Sequence, residues 1–181
     1  ADANARRPAA LFSDLFAHMA AQAGRATRCH IRDAVRILDA TRIELSSLSR
    51  GWLGTVSGHR AVKLHVAYDP VSATPLRAQL SDQRVNDITP AKAMPIEPGV
   101  TYVFDLGYYD FAWWAALDAA GCRFVSRLKS HTSLDVTANQ AVSQQCRSRG
   151  ILADRIGLLP QRMAAARRNP FADPVREITL R

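Results

Sequence analysis

Two aspartates in otherwise apolar segments are the residues of this sequence best suited to chemistry. Asp39 lies within the largely apolar and β-branched segment 37–43, and Asp105 directly follows the apolar run 102–104. An ionised carboxylate in such surroundings is costly unless it is paired with a cation or bound to a metal. Carboxylate oxygens hold Mg²⁺ in phosphoryl-transfer enzymes, where two ions lie roughly 3.5 to 4 Å apart. The pair therefore suggests a two-metal site for phosphoryl transfer.

A simpler interpretation of the two aspartates stays open at this point. Asp39 would pair with an arginine such as Arg42, and Asp105 would open the helix that follows it. The pattern of the surrounding elements and the presence of further motifs must decide between a metal site and these structural roles.

The elements that position the aspartates follow from the hydrophobic pattern. Apolar and β-branched runs predict five strands, and two further stretches predict helices. The strands cover residues 35–45, 61–68, 75–80, 101–106 and 123–128, and the helices cover residues 87–94 and 111–120. This order predicts an α/β fold with a mixed sheet flanked by helices. Asp105 would end the fourth strand at its carboxyl end, where open α/β sheets commonly place ligands.

The chain divides into three predicted segments. Residues 1–30 form an N-terminal helical segment, because residues 9–23 carry apolar side chains at helical spacing. Residues 31–130 contain the predicted α/β core. Residues 131–181 are predicted to begin a separate β-rich segment. Its strand-like stretches are residues 154–159 and 175–180, which are joined by the basic stretch 162–168.

Four ordered segments resemble those of DDE transposases of the insertion-sequence-four family. They are ILDATRIEL at residues 37–45, VKLHVAYD at 62–69, FDLGYYD at 104–110 and RFVSRLK at 123–129. The family's first catalytic aspartate stands in a D-x-T motif and its second in a D-x-G-Y motif. The resemblance therefore implies that Asp39 and Asp105 are catalytic residues and metal ligands.

The same resemblance implies a fold, a reaction and a cofactor. It implies a partial ribonuclease-H-like core followed by the start of a β-rich insertion, and two Mg²⁺ ions that support DNA nicking and strand transfer. The implied partner is double-stranded DNA at transposon ends, and a homo-oligomer of the full-length protein is left open.

The third carboxylate of that family is missing from the sequence. In the family it is a glutamate within a Y…R…E…K pattern on a later helix, and no such pattern occurs here. Glu177 lies in a strand-like stretch without the Tyr and Arg partners, so it is not assigned to this role. We expect the third carboxylate beyond Arg181, and we expect this fragment alone to be inactive.

The charge balance favours a polyanionic partner. Lys and Arg number 24 against 16 Asp and Glu, which gives a net charge of +8. Arg127 and Lys129, two residues apart on one face at the end of the fifth predicted strand, are candidate phosphate contacts. Lys63 is a third candidate, although a solvated strand face shared with His65 explains its position more simply.

Other classes of protein fit less well. The three cysteines, Cys29, Cys122 and Cys146, are widely separated and indicate neither a zinc site nor a disulfide framework. No apolar stretch reaches the roughly 18 residues of a membrane span, and no signal sequence is visible, so a cytoplasmic protein is predicted. A nuclease of the same fold and an inactive DNA-binding remnant remain as alternatives.

Overall fold

The computed structural model of the protein describes residues 10–11, 14–19, 22, 34–45, 61–164 and 167–181. Residues 10–11, 14–19 and 22 are helical, as predicted, and the remainder of the helix predicted over residues 9–23 lies outside the described residues. The chain forms two compact units, one of residues 1–109 and 120–127 and the other of residues 110–119 and 128–181. The domain divisions at residues 30 and 130 stay predictions.

A five-stranded mixed sheet forms the centre of the first unit. Its strands are β1 (Val35–Glu44), β2 (Ala61–Asp69), β3 (Thr74–Asp82), β4 (Thr101–Val103) and β5 (Arg123–Val125), in the spatial order β3-β2-β1-β4-β5. The first three strands form an antiparallel meander, whereas β4 runs parallel to β1 and to β5. The predicted mixed α/β sheet is confirmed.

One face of this sheet is apolar and buried. Leu38 and Ala67 lie opposite each other on β1 and β2, and both are less than one-tenth exposed. Phe104 follows β4 and stacks on Phe124 of β5, with ring centroids 6.0 Å apart. Because side chains alternate along a strand, Asp39 faces away from this core.

Two short turns of helix connect the strands of the first unit. Helix α1 (Ile88–Ala93) follows β3, and its N-cap residue is Asp87, although the Asp87 side chain makes no capping hydrogen bond. A 3-10 turn (Leu106–Tyr108) follows β4. The fourth strand was predicted to reach residue 106 but stops at Val103, because the Asp105 carboxylate accepts a hydrogen bond from the Gly107 amide and starts this turn.

The second unit combines one apolar helix with β structure. In helix α2 (Phe111–Ala119) the buried residues are Phe111, Trp113, Trp114 and Leu117. Asp110 precedes the helix and accepts a hydrogen bond from the Trp113 amide at 2.9 Å. Gly121 follows the helix with φ of +70°, a left-handed conformation typical of a glycine that ends a helix.

An antiparallel sheet in the order β10-β7-β6 forms the rest of the second unit together with a short hairpin. The elements are β6 (Asp135–Asn139), α3 (Gln144–Ser148), β7 (Ile151–Leu158), β8 (Arg162–Ala164), β9 (Arg167–Arg168) and β10 (Val175–Leu180). The strands predicted over residues 154–159 and 175–180 are present as β7 and β10. Strand β6 and helix α3 were not predicted, because their mostly exposed polar residues give no periodic apolar signal.

Among the helices in the described part of the chain, none is long and apolar enough to cross a membrane.

Candidate active site

Asp39 lies within β1, and Asp105 follows the neighbouring parallel strand β4. The last residue pair of their register is Ile37 with Val103, so each aspartate comes two residues after that pair. Asp105 keeps an extended backbone, with φ of −93° and ψ of −168°. Both aspartates are exposed. Because side chains alternate along β1, the Asp39 carboxylate lies on the face opposite to the buried Leu38.

The local contacts of these aspartates bear on the simpler interpretation, in which Asp39 pairs with Arg42 and Asp105 opens the following helix. The Asp105 carboxylate accepts a hydrogen bond from the Gly107 amide at 2.9 Å, so Asp105 does cap the 3-10 turn. The residue that caps α2 is Asp110. Arg42 forms its ion pair with Glu44, at 3.7 Å. A capping bond engages one carboxylate oxygen and fixes its orientation, which is compatible with a second role for Asp105.

The buried hydroxyl of Tyr108 lies close to the charges of the two aspartates. Tyr108 is 2% exposed. Burial raises the pKa of its hydroxyl, and the negative charges of Asp87, Asp39 and Asp105 raise that pKa further. The phenol therefore keeps its proton, and three carboxylates lie within electrostatic reach of it.

Asp87 is the member of this group that the sequence did not reveal. Its Oδ1 lies 2.8 Å from the Nζ of Lys63, which also donates to the backbone carbonyl of Val85 at 2.9 Å. The cap position of Asp87 ahead of α1 was predictable. Its contact with Lys63 was not, since the two residues lie 24 positions apart and meet only through the fold.

The face of β2 that carries Lys63 and His65 is not solvated, so the expectation of a solvated strand face is wrong. Lys63 is half-buried against Asp87, and His65 is only 4% exposed. The His65 Nε2 lies 2.8 Å from the hydroxyl oxygen of Ser81. Burial lowers the pKa of the His65 imidazole, and the nearby ammonium of Lys63 acts in the same direction, against the charge of Asp87.

Comparison with known proteins identifies the family of the chain. Residues 31–170, which include both aspartates, match the family described as "Transposase DDE domain". The chain belongs to this family. A protein of Sinorhizobium fredii named "Putative transposase y4zB" is 41% identical over 142 residues, covering 78% of this chain. The chain spans only 40% of the length of that curated relative.

The predicted phosphate contacts of the DDE domain lie outside strand β5. The strand ends at Val125, whereas it was predicted to reach residue 128, so Arg127 and Lys129 follow it. Strand alternation therefore does not assign the two residues to one face. Arg127 is exposed and Lys129 is half-buried. Their role in DNA binding stays a prediction.

The two exposed aspartates of the DDE domain can be compared with the ligands that a divalent cation requires. Asp39 and Asp105 offer hard oxygen donors, the donor type that Mg²⁺ and Mn²⁺ prefer. Within the described ranges, no three His, Cys, Asp or Glu side chains lie close enough together to hold a metal ion. The two aspartates therefore fit the first ligands of a divalent ion, and a further ligand is required.

Proposed function

We propose that this DDE domain is the catalytic portion of a transposase that nicks DNA at transposon ends and transfers the strands, acting in the cytoplasm. Asp39 and Asp105 are its first two catalytic carboxylates. The observation that carries this proposal is that exposed Asp39 and Asp105 belong to the neighbouring parallel segments β1 and β4, and that both their charges act on the Tyr108 hydroxyl. The family match supports a transposase, and this observation supports a shared site.

The proposal includes the finer assignment to the insertion-sequence-four family and to a ribonuclease-H-like fold. The D-A-T sequence at residues 39–41 and the D-L-G-Y sequence at residues 105–108 support the family. An antiparallel meander of three strands, followed by two strands parallel to β1, supports the fold.

Mg²⁺ is the proposed cofactor, and Asp39 and Asp105 would hold it. When bound, such ions stabilise the negative charge on the attacking and leaving oxygens of the phosphoryl group. The Gly107 amide orients the Asp105 carboxylate, which reduces the freedom that this side chain must lose on ligand binding. Asp39 is exposed on the neighbouring strand β1.

A third carboxylate is part of the proposal and lies outside residues 1–181. Two aspartates supply two negative charges, whereas two Mg²⁺ ions carry four positive charges, so a third acid is needed to hold the second ion against its hydration. Glu177 does not fit this role, because it lies on β10 in an ion pair with Arg155. Residues 1–181 alone are therefore expected to be inactive.

The proposed partner is the sugar-phosphate backbone of transposon-end DNA. The net charge of +8 and the exposed Arg127 support a phosphate contact of this kind. Lys63 contributes less than the sequence suggested, because its ammonium is already neutralised by Asp87.

The test is plasmid nicking in the presence of Mg²⁺ or Mn²⁺. Supercoiled plasmid carrying transposon ends is incubated with residues 1–181, or with a longer polypeptide that includes the Y…R…E…K helix. We expect nicking by the longer polypeptide only, lost in Asp39→Ala and Asp105→Ala and retained in the control Asp82→Ala. Nicking that survives Asp105→Ala would contradict the proposal. Nicking by residues 1–181 that Asp105→Ala abolishes would refute only the third-carboxylate proposal, and Asp87, Glu44 and Glu177 would be mutated next.

A further inference from the structure

The Asp87 carboxylate packs directly against the turn that orients Asp105. A Cβ atom added at Gly107 would lie 2.8 Å from Asp87 Oδ2 and 3.1 Å from Asp105 Oδ1. Both carboxylates therefore reach the same small volume beside the Gly107 backbone. A side chain at Gly107 would force the Asp87 carboxylate to move, since non-bonded contacts of a Cβ atom are essentially never shorter than 3.0 Å.

Two carboxylates at such close quarters repel each other unless a cation compensates one of them. Lys63 supplies that cation through its 2.8 Å contact with Asp87 Oδ1. The side chains of Lys63 and Asp87 are 22% and 24% exposed, so solvent screens their interaction only in part. The second bond of Lys63, to the carbonyl of Val85, fixes the ammonium from a different direction.

Asp87 is also an unusual helix cap. It holds the N-cap position of α1, but its side chain makes no capping hydrogen bond and instead contacts Lys63 and the Gly107 turn. The Asp87 side chain therefore contacts the Gly107 turn and does not cap the helix.

We propose that Asp87 and Lys63 are positioning residues, a charge-compensated pair that holds the Gly107 turn so that Asp105 is oriented for divalent-ion binding. The proposal rests on the proposed function of Asp39 and Asp105. Asp87 acts through Gly107 and is not itself a metal ligand. Lys63 occupies one of its oxygens, and no triad of potential ligands is assembled in the described part of the chain.

The experiment uses residues 1–181 and measures two quantities at a temperature well below unfolding. The first is the affinity for Mn²⁺, followed by the electron paramagnetic resonance of the free ion. The second is the hydrogen-exchange rate of the Gly107 amide, whose N–H donates to Asp105. The variants are Asp87→Asn and the double variant Lys63→Met with Asp87→Asn, which leaves the net charge unchanged. The matched control is Asp82→Asn, which removes an aspartate paired with Arg84.

Both variants are expected to weaken Mn²⁺ binding by about tenfold, the usual effect of losing a residue that orients a metal ligand. The hydrogen-exchange rate of the Gly107 amide should rise about fivefold in both variants, because the hydrogen bond of this amide is loosened. The control should change neither quantity. Because the double variant keeps the net charge, a loss of Mn²⁺ affinity there reports orientation and not overall electrostatics.

Two results would overturn the positioning role. One is unchanged exchange of the Gly107 amide in both variants, whatever happens to Mn²⁺ binding. The other is complete loss of Mn²⁺ binding in Asp87→Asn with the turn intact, which would make Asp87 a ligand. If the unmodified chain binds no Mn²⁺, the proposed metal site fails, and the Gly107 exchange rates still decide whether Asp87 holds the turn.

Discussion

At the scale of single residues, His65 shows how the surroundings of the candidate site constrain a titratable group. The hydroxyl of Ser81 donates to the backbone carbonyl of Asp82 at 3.1 Å, so it accepts the bond from His65 Nε2. The Nδ1 atom is then the unprotonated nitrogen. It is buried and has no hydrogen-bond partner among the described residues. Protonation would place an unpaired N–H in the interior, which is costly.

Acid should therefore destabilise the first unit through His65. Burial lowers the pKa of His65 from its ordinary value of 6.5. Between that value and the lower folded pKa, the unfolded state binds more protons, so the free energy of unfolding falls as the pH drops below about 6.5. His65→Gln should flatten this part of the curve, as measured by urea unfolding at several pH values. The control His131→Gln removes an exposed imidazole and should leave the curve unchanged; a curve unaffected by His65→Gln would refute the assignment.

The two aspartates of the site could be predicted because their signals are local. Each stands in a short motif within or directly after an apolar run, which is visible in the sequence alone. The role of Asp87 could not be predicted in this way. Its local context, ahead of the helix at residues 88–93, indicates only a cap, and its contacts with Lys63 and Gly107 depend on how β2, α1 and β4 come together.

At the scale of elements, Arg36 connects three parts of the first unit. Its guanidinium lies 2.7 Å from Glu97, which precedes β4, and 3.6 Å from Asp69 at the end of β2. The Arg36 side chain is 12% exposed, and that of Asp69 is 14% exposed. Arg36 therefore holds the start of β1 in place beside both of its neighbouring strands, three residues before Asp39.

Removing Arg36 should therefore cost far more than removing an exposed arginine of the same strand. Arg36→Ala leaves the mostly buried Asp69 without its cation, and we expect a loss of about 2 to 4 kcal/mol in the free energy of unfolding. The matched control is Arg42→Ala on β1. Arg42 is 49% exposed and pairs with the exposed Glu44, so its loss should cost less than about 1 kcal/mol. Equal losses in urea unfolding would show that Arg36 does not tie the strands together.

The order of elements could be predicted, but several of their ends could not. Strands β1 to β5 each arise from a local stretch rich in apolar and β-branched residues, so their order and type were predicted correctly. Strand β4 is shorter than predicted because the bond from the Gly107 amide to the Asp105 side chain starts a turn after it, and β5 ends at Val125. Strand β6 has one half-buried residue among five, so packing on β7 and not sequence periodicity defines it.

At the scale of the whole molecule, basic residues outnumber acidic residues, and the resulting positive charge is a property of the entire chain. A net charge of +8 attracts DNA without regard to sequence, and counterions are released when phosphates are neutralised. This release of counterions makes the affinity for DNA depend on the salt concentration, whereas recognition of the bases does not require counterion release.

DNA affinity should therefore fall steeply with salt. If the chain neutralises six to ten phosphates, raising the salt concentration from 50 to 200 mM should lower the affinity on the order of 10³ to 10⁵-fold. Arg127→Ala should reduce the slope by about one. The control Arg176→Ala removes an arginine already paired with Asp154 and should leave the slope nearly unchanged. Fluorescence anisotropy with labelled duplex measures both, and affinity independent of salt would contradict a functional basic surface.

The most direct test of the central claim, that Asp39 and Asp105 share a divalent-ion site, is Mn²⁺ binding to the unmodified chain and to single variants. The account predicts weak binding of one ion, lost in both Asp39→Asn and Asp105→Asn, because each removes one of the two carboxylates proposed to hold it. The control Asp82→Asn should bind as the unmodified chain does. Equal Mn²⁺ binding by all four proteins would contradict the claim, since no ion would then depend on either aspartate.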